Sequence, residues 1–402
     1  MTRPTTNLLA RAVMCALLPA ALVACDADPA TNAATSAVVD PVADARVAGD
    51  GQPIAGDASG AVAAGQAPGM PGTPGGSSST LPVAPGDTAG NAQDAPEGDA
   101  DADGEEDAEP VPPAKAAAAD ADLADDSTLR LQVLLERAHF SPGEIDGKGG
   151  TNTRRALAAY QRAHDLTVGD SPDEATWAKL NEDTAPILVE HTLSQDDVAG
   201  PFRDTPAKVE EMAKQEGLPY ESVEEKVGEL FHANPAVIAE FNPGVELKAG
   251  QTITVPHVAS AKTLPKGTRI VVDESDSVLQ LQDDAGKVLA QFPVTTGSAQ
   301  FPLPIGDWKV NGVARNPVWH FDPELIAGTS ADAQKAEIPP GPNNPVGTIW
   351  IDLTKEHYGI HGTPEPAKIG KTASNGCIRM TNWSAVALGK VAKPQMAVVM
   401  QK

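Results

Sequence analysis

One stretch of about a hundred residues restricts the fold more than any other feature of this chain. Residues 26–126 consist largely of Ala, Gly, Pro, Ser and Asp, with almost no aromatic or large aliphatic side chains. A segment of this composition cannot bury enough apolar surface to offset the conformational entropy that folding removes. We therefore expect a disordered linker over residues 25–122 and folded structure only in the part of the chain that follows.

The linker also carries most of the negative charge. Residues 26–126 contain 20 acidic and 2 basic side chains, which contribute −18 to the formal net charge of −25. Binding to nucleic acid requires a basic face that neutralises phosphates, so we expect no nucleic acid partner. An acidic coil of this length is extended by self-repulsion and can serve as a tether.

The N-terminal residues have the features of an export signal. The apolar run 12–24 follows two arginines and is too short to form a spanning helix. It ends in L-V-A-C, which resembles the lipobox of bacterial lipoproteins. The resemblance implies a lipoprotein signal peptide over residues 1–24 and a lipidated Cys25, which would anchor the protein to a membrane. An ordinary signal peptide cut nearby is the alternative.

A cysteine and a histidine near the C-terminus are the candidate catalytic pair. His361 follows a strand-like run, and Cys377 lies sixteen positions further on, directly after Gly376. A thiol holds little thiolate at neutral pH, so acyl transfer needs a base that takes its proton. An imidazolium beside the sulfur would stabilise the thiolate, and we expect the ionisation of Cys377 to depend on His361. Backbone N–H groups near Gly376 could stabilise an oxyanion.

The residues around this pair resemble a family signature. The sequence H-G-T at 361–363, followed by S-N-G-C-I-R-M at 374–380, is similar to the signature of L,D-transpeptidases with a YkuD-type catalytic domain. The run F-P-L-P-I-G-D-W at 301–308 resembles another loop of that family. We expect no metal and no cofactor. The resemblance implies Cys377 as the nucleophile, His361 as the general base, and as substrate or oxyanion support Gly362, Ser374, Gly376 and Arg379.

The activity implied by this resemblance is cross-linking of the bacterial cell wall. Cys377 would attack a tetrapeptide stem of peptidoglycan, release D-alanine and hold the acyl group as a thioester. An amine acceptor would then take the acyl group. Two alternatives stay open, namely an L,D-carboxypeptidase or amidase that hydrolyses the same bond, and a non-catalytic wall-binding lipoprotein. Stem peptides, glycan strands and a membrane are the expected partners, and the periplasm or cell envelope is the expected location.

Two other chemistries fit the residues less well. A zinc site could use His357, His361 and Cys377, but an extended backbone would separate the two histidines by about 13 Å. A papain-like or NlpC-type peptidase has its cysteine before its histidine in the sequence, whereas here the histidine comes first. The separation of the two histidines and the order of histidine and cysteine therefore both favour the transpeptidase interpretation.

Two smaller regions precede the catalytic part. Residues 123–183 contain short amphipathic patterns around an I-D-G turn at 145–147, which resembles a helical peptidoglycan-binding domain. A generic helical bundle is the alternative. Residues 186–258 have a strand–helix–strand pattern whose later half resembles a LysM module, a small α/β unit that binds glycan strands. Extra residues around 202–216 depart from the compact LysM form, so a spacer role stays open.

The last region has the pattern of a β protein. Alternating and β-branched runs at 269–272, 278–281 and 288–294 are separated by short turns. They predict a mostly β sandwich over residues 263–402, with short helices, one of them after Cys377. The resemblance implies that this sandwich is a YkuD-like catalytic domain. The predicted fold class is therefore multidomain, with a β sandwich, a small α-helical peptidoglycan-binding domain and a small α/β LysM-like module.

Overall fold

The computed structural model describes residues 114–258, 263–326, 329, 332–374 and 376–402. The predicted signal peptide, the lipidation site Cys25 and the linker as far as residue 113 lie outside the described residues. Within the described ranges, no helix is both long and apolar enough to cross a membrane.

The regular elements follow the order that the sequence patterns predict, with most helices before residue 245 and most strands after residue 265. The helices are α1 (Ala118–Asp122), α2 (Thr128–Arg137), α3 (Thr151–Ala163), α4 (Glu174–Leu180), α5 (Val209–Met212), α6 (Val223–Leu230), α7 (Pro235–Phe241) and α8 (Asn382–Val391). The strands are β1 (Leu188–Thr192), β2 (Thr252–Pro256), β3 (Arg269–Asp273), β4 (Val278–Gln282), β5 (Val288–Pro293), β6 (Gly306–Arg315), β7 (Trp319–Phe321), β8 (Ala336–Ile338), β9 (Ile349–Leu353), β10 (Gly359–His361), β11 (Ile378–Arg379) and β12 (Ala397–Gln401). Two short 3-10 helices cover Pro323–Leu325 and Pro366–Lys368.

Side-chain caps set the starts of several helices. Ser127 accepts the Arg130 N–H at the start of α2, and Asp173 accepts the Thr176 N–H at 2.8 Å at the start of α4. The I-D-G turn is held by Gln132 of α2, whose side-chain oxygen accepts the Gly147 N–H at 2.8 Å. The predicted helices of this region are therefore confirmed, and the turn between them is fixed by a buried side chain.

The helical region and the middle region share one hydrophobic core. Leu134 and Leu157 of the helices belong to the same buried cluster as Leu188 and Val255 of the antiparallel pair β1–β2. Arg137 adds a polar link, because its buried guanidinium donates to Asp183 at 2.8 Å and to the Pro186 carbonyl at 2.9 Å. Residues 114–258 therefore pack together.

The catalytic region contains one eight-stranded sheet with the order β11-β10-β9-β6-β12-β3-β4-β5. Strand β6 joins its two halves, since its first residues pair with β12 and its later residues with β9, with a register shift between Val310 and Gly312. Side chains from both ends of the sheet share one core, so the sheet curves as a half-barrel. The mostly β character is confirmed, but the predicted two-sheet sandwich is wrong. Alternation in a sequence shows which face of a strand is buried and not which strands are neighbours.

A third hydrophobic cluster connects the middle region with the catalytic region. The antiparallel pair β7–β8 contributes Trp319 and Ile338, which pack with Met212 of α5 and with Leu218. The backbone continues this contact, because the Leu218 N–H donates to the Pro340 carbonyl at 2.9 Å. The residues that exceed a compact LysM pattern therefore lie against the catalytic region.

Candidate active site

Parallel pairing of β10 with β11 brings the histidine and the cysteine to one face of the sheet. Ile360 lies opposite Ile378, and His361 lies opposite Arg379. Side chains alternate between the faces of a strand, so Cys377, two positions before Arg379, points to the face that His361 shares. All three side chains are buried, with exposed fractions of 0% for His361, 1% for Cys377 and 6% for Arg379.

The backbone fixes the tautomer of His361. Its Nδ1 lies 2.7 Å from the Gly362 carbonyl oxygen, which can only accept, so Nδ1 carries the proton. The other ring nitrogen, Nε2, is buried and has no hydrogen-bond partner among the described residues. The Trp350 ring stacks on the imidazole with centroids 5.5 Å apart. The arrangement leaves a lone pair on Nε2 inside the site, as a general base requires.

Burial keeps the imidazole neutral. Desolvation, together with the positive charge of Arg379, lowers the pKa of His361 to about 3. The ring therefore holds no proton on Nε2 at neutral pH before substrate arrives. The neutral ring differs from the sequence-based expectation of an imidazolium beside the Cys377 sulfur.

Cys377 lies at the end of a loop whose shape depends on Ser374 and Gly376. The Ser374 hydroxyl donates to the Cys377 carbonyl at 2.7 Å and accepts the Gly376 N–H at 3.1 Å. Gly376 has φ of 123°, and a Cβ at this position would lie 2.9 Å from the Tyr358 ring. The Cys377 sulfur lies 3.8 Å from the His357 carbonyl oxygen. Ser374 thus holds the loop, and only glycine fits before the cysteine.

Gly362 supports the histidine. Its N–H donates to the Ile349 carbonyl at 3.2 Å, and its own carbonyl accepts from His361. Both backbone groups are therefore engaged, and Gly362 offers no N–H to an oxyanion in this arrangement. This differs from the oxyanion support expected for Gly362, because the sequence does not show where its N–H points.

A cavity of about 630 Å³ is bordered by two regions of the chain, and neither His361 nor Cys377 lines it. Arg379 and Thr363 line it from the catalytic region, and Glu221 and Glu225 line it from the middle region. Burial raises the pKa of Glu225, with smaller opposing effects from its hydrogen bonds. No sequence pattern pointed to these glutamates as site residues. The additional residues before α6 were the only hint that the middle region departs from a compact module.

The helical region also reaches the loop that joins the histidine to the cysteine. Asn152 of α3 donates to the Ile369 carbonyl at 2.9 Å, and a Cβ on Gly370 would collide with the Asn152 amide. Gly370 has φ of +72°, a conformation that favours glycine. Among the described residues, no three His, Cys, Asp or Glu side chains come together as metal ligands would.

Residues 267–400 match the family model of the L,D-transpeptidase catalytic domain. The matched range contains His361, Cys377 and, apart from Gln401 at the end of β12, all eight strands of the curved sheet. This chain carries the catalytic domain of a cysteine-dependent L,D-transpeptidase. Residues 125–180, which contain α2, α3 and α4, match the model of a peptidoglycan-binding domain. The L,D-transpeptidase therefore combines a cross-linking domain with a domain for its polymeric substrate, and it acts outside the cytoplasm at the cell wall.

Relatives of this L,D-transpeptidase carry names of the same kind. The L,D-transpeptidase YkuD of Bacillus subtilis strain 168 is 29% identical over 163 residues, which cover 40% of this chain and 82% of the relative. The L,D-transpeptidase ErfK/SrfK of Escherichia coli K12 is 32% identical over 152 residues, which cover 36% of this chain and 47% of the relative. Among solved structures, the L,D-transpeptidase from Mycobacterium smegmatis has 18% identity and a TM-score of 0.28, and the match covers 38% of this chain and 64% of that one.

Proposed function

We propose that this L,D-transpeptidase forms an acyl-thioester between Cys377 and a tetrapeptide stem, releases D-alanine and transfers the acyl group to an amine of a second stem. The observation that carries the proposal is the orientation of His361. Its Nδ1–H is held by the Gly362 carbonyl at 2.7 Å, so the basic Nε2 is kept on the face that Cys377 shares. A nucleophile, an oriented base and a fixed orienting group are the parts that acyl transfer requires.

The steps follow from the neutral state of the histidine. As the sulfur attacks the carbonyl of the L-centre of diaminopimelate, Nε2 of His361 takes the thiol proton. The carbon–nitrogen bond to D-alanine then breaks, and the imidazolium gives its proton to the leaving amine. Because burial and Arg379 lower the pKa of His361, the imidazolium is a strong acid and protonates a poor leaving group readily. In the second half, Nε2 takes a proton from the acceptor amine as the amine attacks the thioester. The carbon–sulfur bond then breaks, and the imidazolium returns the proton to the Cys377 sulfur.

The charge of Arg379 supports its assignment to the substrate site. Its side chain is 6% exposed and borders the cavity of about 630 Å³, and Arg379 lies opposite His361 in the sheet. A stem peptide carries carboxylates, which an arginine binds with paired hydrogen bonds. Ser374 and Gly376 support the reaction by holding the nucleophile loop, as their contacts indicate.

The acceptor used in the second half of the reaction distinguishes a transpeptidase from a hydrolase. A carboxypeptidase or an amidase would use the same Cys377 and His361, with water instead of an amine as the acceptor. Mass spectrometry of muropeptides after incubation of the mature enzyme with purified sacculi tests this difference. New L,D-cross-linked dimers support the transpeptidase, whereas shortened monomers without dimers would identify a hydrolase. An unchanged muropeptide profile would favour the non-catalytic alternative.

We also propose that residues 186–258 form a LysM-like module that binds glycan strands beside the peptidoglycan-binding domain over residues 123–183. The antiparallel pair β1–β2 with α6 and α7 between its strands supports this assignment. The shared core supports treating residues 114–258 as one folded unit. A fragment of these residues is expected to sediment with insoluble peptidoglycan, whereas residues 263–402 alone stay mostly in the supernatant. If the 114–258 fragment stays in the supernatant while the full ectodomain sediments, the binding assignment is wrong.

Lipidation of Cys25 is proposed from the L-V-A-C sequence alone. Cys25→Ala is expected to move the protein from the membrane fraction to the soluble envelope fraction, because the acyl chains on Cys25 are what would hold the protein at the membrane. Cys15→Ala is the matched control, since Cys15 lies within the signal peptide and its replacement leaves the lipobox intact. Mass spectrometry of the N-terminal peptide measures the lipid directly. An N-terminal peptide without lipid, together with unchanged fractionation, would contradict the anchor.

A further inference from the structure

Asn382, the first residue of α8, connects the catalytic histidine to the middle region. It is 2% exposed, and both the nitrogen and the oxygen of its side-chain amide form hydrogen bonds. The Nδ2 group donates to Glu229 Oε1 at 2.9 Å and to the Pro342 carbonyl at 3.2 Å. The Oδ1 atom accepts the Thr348 N–H at 3.3 Å. The amide therefore has one orientation that satisfies all of these groups.

The oxygen of Asn382 lies directly against the peptide that holds the histidine. A Cβ on Gly362 or on Gly347 would collide with Asn382 Oδ1, so both backbones approach this atom as closely as glycine allows. The Gly362 carbonyl is the acceptor for His361 Nδ1–H. A displacement of the Asn382 amide would therefore move the group that sets the tautomer of the base.

Glu229 of α6 determines which way the Asn382 amide points. Its Oε1 needs a donor, and Nδ2 supplies it, so Oδ1 must face Thr348 and Gly362. Its Oε2 accepts the Tyr220 hydroxyl at 3.1 Å. If the amide were reversed, an NH₂ group would face the Thr348 N–H, and two donors would be opposed. Desolvation raises the pKa of Glu229 to about 7 despite these hydrogen bonds. A carboxyl group is thus kept in an environment that disfavours its charge, as is common where a group has a specific task.

We propose that Glu229 and Asn382 are positioning residues that keep His361 in its Nδ1–H tautomer, so that the middle region takes part in the transpeptidase reaction. The inference rests on the proposed role of His361 as the base. Neither residue touches the reacting atoms. Glu229 orients the amide, the amide supports Gly362, and the Gly362 carbonyl orients the imidazole.

The tautomer of His361 is the direct readout, and it requires no substrate. Nitrogen-15 NMR of histidine-labelled mature enzyme distinguishes an Nδ1–H ring from an Nε2–H ring. The change Glu229→Met removes the acceptor and is expected to raise the Nε2–H population of His361 and to lower kcat roughly tenfold, with a smaller change in KM. Glu229→Gln keeps an acceptor oxygen for Asn382 and is expected to restore both values. Glu224→Met is the matched control, because Glu224 is exposed on the same helix.

Exchanging the donor and the acceptor between positions 229 and 382 gives a second test, which does not require the Glu229→Met protein to fold. Asn382→Asp places two carboxyl groups face to face and is expected to disturb the tautomer as Glu229→Met does. Combining Asn382→Asp with Glu229→Gln reverses donor and acceptor, and we expect this double variant to recover the Nδ1–H tautomer and most of kcat. A wild-type tautomer in folded Glu229→Met or Asn382→Asp enzyme would overturn the proposal. So would a double variant as impaired as the Asn382→Asp enzyme. If the enzyme proved to be a hydrolase, the tautomer shifts would still occur, so the two proposals fail separately.

Discussion

Replacing His361 with Gln is expected to slow acylation of Cys377 by roughly 10²–10⁴-fold, the usual contribution of a general base. Glutamine can still donate to the Gly362 carbonyl, so the loop should keep its shape while the basic nitrogen is lost. The thiol would then have to lose its proton without help, in a site where burial disfavours charge. The rate is measured by mass spectrometry of the acyl-enzyme formed from a disaccharide-tetrapeptide. Cys377→Ala should form no acyl-enzyme at all.

His357→Gln is the matched control for this experiment. The His357 carbonyl, and not its ring, lies 3.8 Å from the Cys377 sulfur, so replacing the side chain should change the acylation rate little. If His357→Gln greatly lowers the acylation rate while His361→Gln leaves it nearly unchanged, the base has been assigned to the wrong histidine. Equal, small effects of both changes would contradict general base catalysis at this site.

The second large effect is expected in the pH dependence of stability. The folded protein keeps His361 neutral down to about pH 3, whereas an unfolded histidine takes up a proton near its ordinary pKa of 6.5. The unfolded state therefore binds more protons between these values, and the free energy of unfolding falls as the pH decreases through that window. Between pH 6.5 and 4.5, this one group should account for a loss of about 2 kcal/mol. His361→Gln is expected to remove that loss.

Other groups titrate in the same range, so the contribution of His361 is obtained by comparing the pH dependence of unfolding between wild type and His361→Gln. Glu229 acts in the opposite direction, because its raised pKa of about 7 gives stability that is present below its ordinary value of 4.5 and is lost as the pH rises through 7. Urea unfolding of wild type and His361→Gln at pH 6.5 and 4.5 isolates the histidine, since Glu229 is common to both. Identical pH dependence in the two proteins would mean that His361 is not held neutral in the fold.

Much of the catalytic centre could be predicted from short sequence patterns. Cys377 and His361 stand out because their spacing and glycine-rich surroundings are local properties, and the structure brings them to one face of the sheet. The helices of the first folded region were predictable because their caps and apolar spacing are local too. The curvature of the sheet was not, since it depends on β6 pairing with both β9 and β12 over long sequence distances.

The sequence by itself determined that residues 26–126 hold most of the negative charge and few large apolar side chains, and that a histidine and a cysteine lie sixteen positions apart, because composition and spacing are read directly from the chain. Only the tertiary structure decided what the middle region does near that pair. Glu229 and Asn382 are 153 positions apart, and their hydrogen bond depends on how α6 packs beside α8. The tautomer and low pKa of His361 were likewise decided by folding. They result from one backbone carbonyl, complete burial and the charge of Arg379, which come together only in the folded chain.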